Sequence, residues 1–445
     1  CDRTEDESIE RSSSYRRDRK ECFYLGGQHG YPMTDVLIVG QFFPPETGAG
    51  ARRAGALSTA LANRLDLVVL TLEPSYPDAS LYGPEDAARI DMESEFRIKR
   101  LFRFDPYRAS HSSRGLAEIG MAVRIAWAAL RMSWQTAIVS TPSMFLAPCM
   151  FLVCVLRRRH FIWDLRDLTW RYIAETGRAG RAERIIGRGI ELVMGWLLRA
   201  ASLVIVTNQG AGTMLAADYA VESSNIVVLP NGVSRAFFDQ FESAEAHTQA
   251  RPVVLYLGLL GRNHGVEVLT QVAPLVPEAD FVIVGDGPMR PAIEARLRTQ
   301  DPGNLKLQGY SVDQERIVQY YRDATILFNH TLDTPTLSQA VLAAKIVEYM
   351  ATGKPIVSGG AGVPEDLLRS IGCAELVRSG DPHSIANGVR HLLADPARRA
   401  ALGKRGREYV SEYALREELM GRFAEQFAVW QRTGGRDPFG GRTGV

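Results

Sequence analysis

The densest cluster of residues able to do chemistry is the run Ser338–Pro355, SQAVLAAKIVEYMATGKP. It reads as a helix closed by Gly353, with a strand beginning at Pro355. Lys345 and Glu348 are three positions apart, so they share one helical face. A carboxylate there suits paired ribose hydroxyls, and a nearby ammonium suits phosphate. A solvated Lys–Glu contact, worth little, fits the same spacing. The run alone leaves both readings open.

Two glycine-bearing loops follow strand-like runs. The first is Gln41–Arg53, QFFPPETGAGARR. Gly48 and Gly50 would let backbone N–H groups approach an anion, and a helix expected from Arg53 would present its positive end to it. A plain turn fits as well, and the loop is not GxGxxG, which counts against a nicotinamide enzyme. The second follows the run Val253–Leu257 and reads GLLGRNHG over Gly258–Gly265. Gly261 and Arg262 at a strand end suit a pyrophosphate, with a tight turn and a solvated Arg262 as the alternative. His264 reads as a loop histidine and Gly285–Pro288, GDGP, as a structural turn. Asp164 and Asp167, in DLRD, are the carboxylates nearest another strand end. They are candidates for positioning an acceptor, with helix capping as the alternative for Asp167. The sequence holds no DxD pair in a suitable loop and no His/Cys cluster of metal-ligand spacing, so neither metal nor cofactor is expected.

These residues need elements to position them. A chain of 445 residues is too long for one ordinary core. Strands read at Val36–Val39, Leu67–Leu72, Ala137–Ser140, Phe161–Trp163, Leu203–Thr207 and Ile226–Leu229, with helical patterns between them such as Arg53–Asn63, Gly115–Met132 and Ala182–Arg199. A second set reads at Val253–Leu257, Asp280–Val284, Leu305–Gln308, Thr325–Asn329, Pro355–Ser358 and Glu375–Val377. Strand–helix alternation implies parallel sheets with right-handed crossovers, hence an α/β chain of two doubly wound halves. The expected division is a disordered leader over 1–32, a first domain over 33–235, a linker over 236–251, a second domain over 252–412, a helix over 413–432 and a disordered tail over 433–445. Met33 is the expected true start, with a lipid-anchored Cys1 as the other reading.

A formal net charge of +1 gives no global field, so no nucleic-acid partner is expected. Cys1, Cys22, Cys149, Cys154 and Cys373 form neither a disulfide framework nor a metal pair, which fits a reducing cytosol. Met144–Leu156 is too short to span a bilayer and holds Pro148. It is expected to be a buried helix, and Arg157, Arg158 and Arg159 after it offer the alternative of a peripheral contact with the cytoplasmic membrane face.

With these motifs in order, the chain resembles the family 4 retaining glycosyltransferases, which have the GT-B fold: two Rossmann-like domains facing across a cleft. The stretch KIVEYMATGKP resembles that family's E-A-M-A-x-G-x-P signature. The Gly258–Gly265 loop, GDGP and Gly359–Glu365 occur in the family's order, and FFPPETGAGARR is similar to the subgroup that builds surface polysaccharides, amino-sugar transferases included. The resemblance runs roughly from Asp35 to Phe427. It implies a nucleotide-diphosphate sugar donor, a glycan or polyprenyl-linked acceptor, Glu348 on the ribose, Arg262 and Lys345 on the diphosphate, Gly48 and Gly50 near the donor phosphates, and a terminal helix Ala414–Arg432 crossing back onto the first domain. One departure is clear: the family's second acidic residue falls on Ala340, so Asp333 or a backbone group would have to contact the donor sugar. That departure supports an alternative reading as a non-catalytic homologue that binds a nucleotide sugar or a partner transferase. A sugar-nucleotide epimerase would need more acidic and histidine groups than the sequence places in the cleft.

Overall fold

The computed structural model describes residues 33–435 and Phe439, apart from 77, 105–110, 142, 172–180 and 243–250. The expected leader, most of the linker and most of the tail therefore lie outside the described residues.

Two all-parallel sheets carry the chain. The first contains β1 (Thr34–Gly40), β2 (Leu67–Glu73), β3 (Arg97–Arg103), β4 (Trp134–Thr141), β5 (His160–Leu165), β6 (Leu203–Val206) and β7 (Ile226–Val228), in the order β3-β2-β1-β4-β5-β6-β7. The second contains β8 (Val253–Leu257), β9 (Asp280–Val284), β10 (Leu305–Gln308), β11 (Ile326–His330), β12 (Ile356–Gly359) and β13 (Ala374–Val377), in the order β10-β9-β8-β11-β12-β13. In both, the order reverses beside the first strand, which opens a crevice at the strands' carboxyl ends. The central strands are covered on both faces, which is why they read as unbroken apolar runs. β3, RIKRLFR, carries four basic residues, and six of its seven side chains are only half-buried. It is an edge strand and leaves no apolar run in the sequence.

Among the helices, α1 (Ala49–Ala62), α2 (His111–Leu130), α3 (Leu146–Arg157), α4 (Arg181–Ala200) and α5 (Gln209–Tyr219) flank the first sheet. In the second half α6 (Pro335–Ala340) and α7 (Ala344–Ala351) follow β11, and α8 (Arg416–Arg432) comes after the second sheet. Two expectations need correction. Helix α1 begins at Ala49 with Gly48 as its N-cap, so Gly50 sits inside its first turn and not in a loop. Helix α3 is not wholly buried: Met150 and Val153 face the core, while Leu152 and Leu156 are exposed.

Helix α8 joins the first domain's core. Its Met420, Phe423 and Phe427 pack with Val36, Ile38 and Leu57 beneath β1 and α1. Its Gln431 accepts from the Thr136 hydroxyl at 2.7 Å and donates to the Asp35 carbonyl at 3.2 Å. Where the chain enters this helix it meets its earlier crossing. Arg416 donates to the carbonyls of Asn231 and Gly232, at 2.9 and 2.8 Å. Gly232 has φ +57° and a Cβ there would press on the Ala414 carbonyl, so a side chain is excluded.

Phe427 is fully buried, so Phe427→Ala is expected to cost about 3–5 kcal/mol. A guanidinium denaturation midpoint left unchanged would show that α8 is not integral to the first domain.

Candidate functional site

Between the two sheets lies a cleft of about 560 Å³ with walls from both domains. The first domain supplies the start of α1 (Gly48, Ala49, Arg52), Tyr76, and Arg166 and Asp167 after β5. The second supplies the β8 loop, Tyr310, and the face of α7 that carries Lys345 and Glu348.

The α1 end of the cleft is built by a buried carboxylate. Glu46 accepts from the N–H groups of Phe43, Ser75 and Tyr76 at 3.1, 2.9 and 2.8 Å, fixing the turn before Gly48. Burial pushes its carboxyl up, and those bonds oppose the rise. The N–H groups of the first turn of α1 have no partner within the helix and put the positive end of its dipole beside the cleft. A Cβ on Gly50 would overlap the guanidinium of Arg166, so this glycine lets a cation pack against that end.

Arg52 and Arg53, adjacent on α1, point to different partners. Arg53 is buried and grips Asp164 with Nε and Nη2, the closest contact being 2.9 Å, while Nη1 donates to the Leu229 carbonyl at 2.8 Å. Asp164 is buried too and also accepts from Ser140 at 2.8 Å. Arg52 reaches across the cleft to Glu348, Nη2 to Oε1 at 2.6 Å. A second crossing joins the hydroxyls of Thr47 and Tyr310 at 3.0 Å.

On the opposite wall, Lys345 is buried with its Nζ 2.9 Å from the Tyr256 hydroxyl and 4.1 Å from that ring's centre. The Tyr256 hydroxyl donates onward to the Leu259 carbonyl at 2.7 Å. Burial pulls the Lys345 ammonium down to about 7, with Glu348 opposing the fall. Lys345, together with burial, holds His264 well below its ordinary value, so this cleft-lining imidazole is neutral. Behind it, His330 faces the His264 carbonyl through Nδ1 at 2.7 Å and accepts the Gly380 N–H at Nε2 at 2.9 Å. The β8 loop is held open beside Lys345 by glycine: Gly258 (φ +153°) lies against Gly285 (φ +151°), where a Cβ would overlap the Gly258 carbonyl.

The structure brings Gly48, Lys345, Glu348 and Asp167 to the cleft and places four other candidates elsewhere. Asp164 is enclosed in its pair with Arg53. Gly50 lies within α1 against Arg166. Gly261 caps the short turn Arg262–His264, and Arg262 is exposed at its start; neither lines the cleft. Ala340 ends α6, where its carbonyl accepts from Asn208 of the first domain at 2.8 Å. A Cβ on Gly210 would overlap the Gln339 carbonyl, so α6 and α5 touch directly where the family's acidic residue is expected. Asp333 bonds Ser338 at 2.7 Å and is not on the cleft wall, whereas the backbone stretch 341–344 is. Sequence reasoning missed Arg52, Arg166 and Tyr310. The one visible signal was the pair Arg52-Arg53 at the end of the glycine segment.

The architecture is the GT-B fold. Anabaena HepE in complex with UDP superposes with a TM-score of 0.63 at 16% identity, over 89% of this chain and 100% of that one. Sucrose-phosphate synthase from Thermosynechococcus elongatus gives 0.68 at 19%, over 90% and 100%. Residues 251–395, the second domain, match the family model described as glycosyl transferases group 1. Among curated relatives, the Arabidopsis thaliana sulfoquinovosyl transferase SQD2 is 29% identical over 54% of this chain and 47% of its own length. The 2-deoxystreptamine glucosyltransferase of Streptomyces kanamyceticus is 25% identical over 49% and 58%. The chain thus spans about half the length of these relatives.

Removing one partner of a buried ion pair leaves the other charged and unpaired. Asp164→Ala is therefore expected to cost roughly 3–5 kcal/mol of stability, read as a lowered denaturation midpoint. A large loss of nucleoside diphosphate affinity at intact stability would return Asp164 to the reacting groups.

Proposed function

We propose that this chain is a family 4 glycosyltransferase that transfers a sugar from a nucleotide-diphosphate donor, with retention and without a metal, to a glycan or lipid-linked acceptor in surface polysaccharide synthesis at the cytoplasmic side. The observation that carries the reading is the pairing of Lys345 and Glu348 on one face of α7, opposite the N-terminus of α1 across the cleft. The likeness of the second domain to group 1 glycosyltransferases supports it, as does the UDP held by HepE in the same fold.

On this reading Glu348 exchanges its bond with Arg52 for the ribose hydroxyls. The diphosphate lies between Lys345, Arg166 and the first turn of α1, with Arg52 released toward it. As the bond from the sugar's anomeric carbon to the diphosphate oxygen breaks, its electron pair moves onto the diphosphate. Fixed cations and N–H dipoles stabilise that charge as it develops. The acceptor hydroxyl oxygen forms the new bond on the face that the diphosphate leaves and passes its proton to the departing diphosphate oxygen, with Asp167 on the cleft wall orienting that hydroxyl. With Ala340 turned away, backbone groups of 341–344 take the donor sugar's hydroxyls.

Three outcomes test this. With radiolabelled nucleotide sugars and lipid-linked or soluble glycan acceptors, transfer is expected to persist in excess EDTA. Loss in EDTA with rescue by Mg²⁺ or Mn²⁺ overturns metal independence, and donor binding without transfer to any acceptor identifies a non-catalytic homologue. Glu348→Ala is expected to weaken nucleoside diphosphate binding by on the order of 2–4 kcal/mol, as two charge-assisted hydrogen bonds are lost; an unchanged Kd removes Glu348 from the ribose. A third readout is pH. Lys345 in the free chain loses its proton near pH 7, and a bound diphosphate raises that value. Nucleotide-sugar affinity is then flat below about pH 7 and falls by up to tenfold per unit above it, because binding takes up a proton. Lys345→Gln should abolish that slope.

A further inference from the structure

Helices α2, α3 and α4 share the face of the first sheet that α1 and α8 leave free, and each is apolar on two sides. On α3, Val153 and Cys154 face the sheet, while Leu152, Val155 and Leu156 are 58, 54 and 65% exposed. On α2, Ala122 and Ile125 point inward, while Leu116, Val123 and Trp127 are 74, 53 and 55% exposed. On α4, Met194 and Leu197 are buried, while Leu192 and Trp196 are 75 and 54% exposed. These positions recur at helical spacing, so each helix presents one outward apolar stripe. The stripes join: Phe151 of α3 meets Trp196 of α4 edge to face at 5.0 Å, and α2 packs along α3. Most of the large exposed apolar side chains among the described residues lie on these three helices. A solvated surface scatters such residues singly.

Charge singles out what covers this face. Arg124 of α2, Arg131 directly after it, Arg158 at the end of α3 and Arg188 of α4 are exposed among or beside the stripes, in a chain whose net charge is only +1. The described acidic side chains of these helices, Glu118 and Glu191, accept from Ser143 and Tyr219. Arg131 lies over the Trp127 ring at 4.5 Å, pairing a cation with an aromatic at the rim. A second copy on this face would set like-charged rims against each other. Ahead of Met33, residues 2–20 are almost all charged or serine, and the apolar side chains that follow, Phe23, Tyr24, Leu25 and Tyr31, are too few to cover three helical stripes. The face also differs from the patch read in the sequence, because Arg157 is committed to the carbonyls of Leu130 and Met132, at 2.7 and 3.0 Å.

We propose that the α2–α3–α4 face seats the chain on an anionic lipid bilayer, with the three stripes at the boundary of acyl chains and headgroups and the arginines among the phosphates. No helix among the described residues is long and apolar enough to cross a membrane, so the contact lies in the plane of the surface. The inference does not depend on the glycosyl-transfer reading, and its test needs neither donor nor acceptor.

The full chain is sedimented with phosphatidylcholine vesicles, with and without phosphatidylglycerol, at low and high salt. The wild type is expected to bind the anionic vesicles and to keep part of that binding at high salt. A triple variant at more exposed stripe positions, Leu116→Ser with Leu156→Ser and Leu192→Ser, is expected to lose binding roughly tenfold or more at an unchanged melting temperature. Arg158→Gln with Arg188→Gln, which leaves the stripes and the Arg131–Trp127 contact in place, is expected to lose mainly the salt-sensitive part, and it keeps the test decisive if the serine variant misfolds. Wild type that ignores anionic vesicles, or an intact serine variant that binds them equally well, overturns the proposal. So does a wild-type dimer without vesicle binding that the serine changes dissolve, which would assign the face to a second copy.

Discussion

Two consecutive arginines on one helix organise this molecule. Neighbouring helical positions point about 100° apart, so α1 can send Arg53 into the first domain and Arg52 across the cleft. Arg53 closes a buried pair with Asp164 and holds the carbonyl end of β7. That fixes the start of α1 against β5, and with it Gly48, Gly50 and the guanidinium of Arg166. Arg52 then meets Glu348 on α7. Were α1 rotated by one residue, one arginine would take the other's place, leaving either Asp164 buried without its cation or Glu348 without an arginine.

The cleft concentrates positive groups and leaves one of them adjustable. Arg52 and Arg166 are guanidinium groups, charged under all relevant conditions. Lys345 is different: burial against Tyr256 brings it to about 7, and the neighbouring imidazole of His264 is kept neutral. An empty cleft therefore holds less charge than an occupied one, and an anionic ligand draws in the proton that binds it. On the same wall Gly258 and Gly285 pack backbone on backbone beside the lysine, an approach that a side chain on Gly285 would block. The first domain turns a very different surface outward. Its α2–α3–α4 layer spends one side of each helix on the sheet and leaves the other apolar, without a partner among the described residues.

Much of this was legible in the sequence, for reasons that also explain what was not. The second sheet's six strands were read at nearly the right places: its four inner strands are mostly apolar runs because parallel strands covered on both faces carry little polar surface, while the edge strands LKLQ and AELV keep enough apolar residues to show. β3 escaped because an edge strand studded with basic residues has no such run. The start of α1 was misread because Gly48-Ala49-Gly50 looks like a loop, whereas Gly50 is there for the close approach of Arg166, which belongs to a different element far along the chain. The common face of Lys345 and Glu348 follows from a spacing of three. The partner of Glu348 does not, since Arg52 is separated from it by 296 positions and meets it only once two domains have docked. The outward side of α3 was hidden for a similar reason. An apolar run reports that a helix has something to bury, not that the protein itself does all of the burying.

Donor binding on the glycosyl-transfer reading requires Glu348 to exchange Arg52 for the ribose. The most direct test is a crystal structure with a nucleoside diphosphate in the cleft. It should show the Glu348 carboxylate on the ribose hydroxyls, Arg52 withdrawn from it, and the phosphates between Lys345 and the first turn of α1. A nucleotide bound elsewhere, with the Arg52–Glu348 pair intact, would contradict the account.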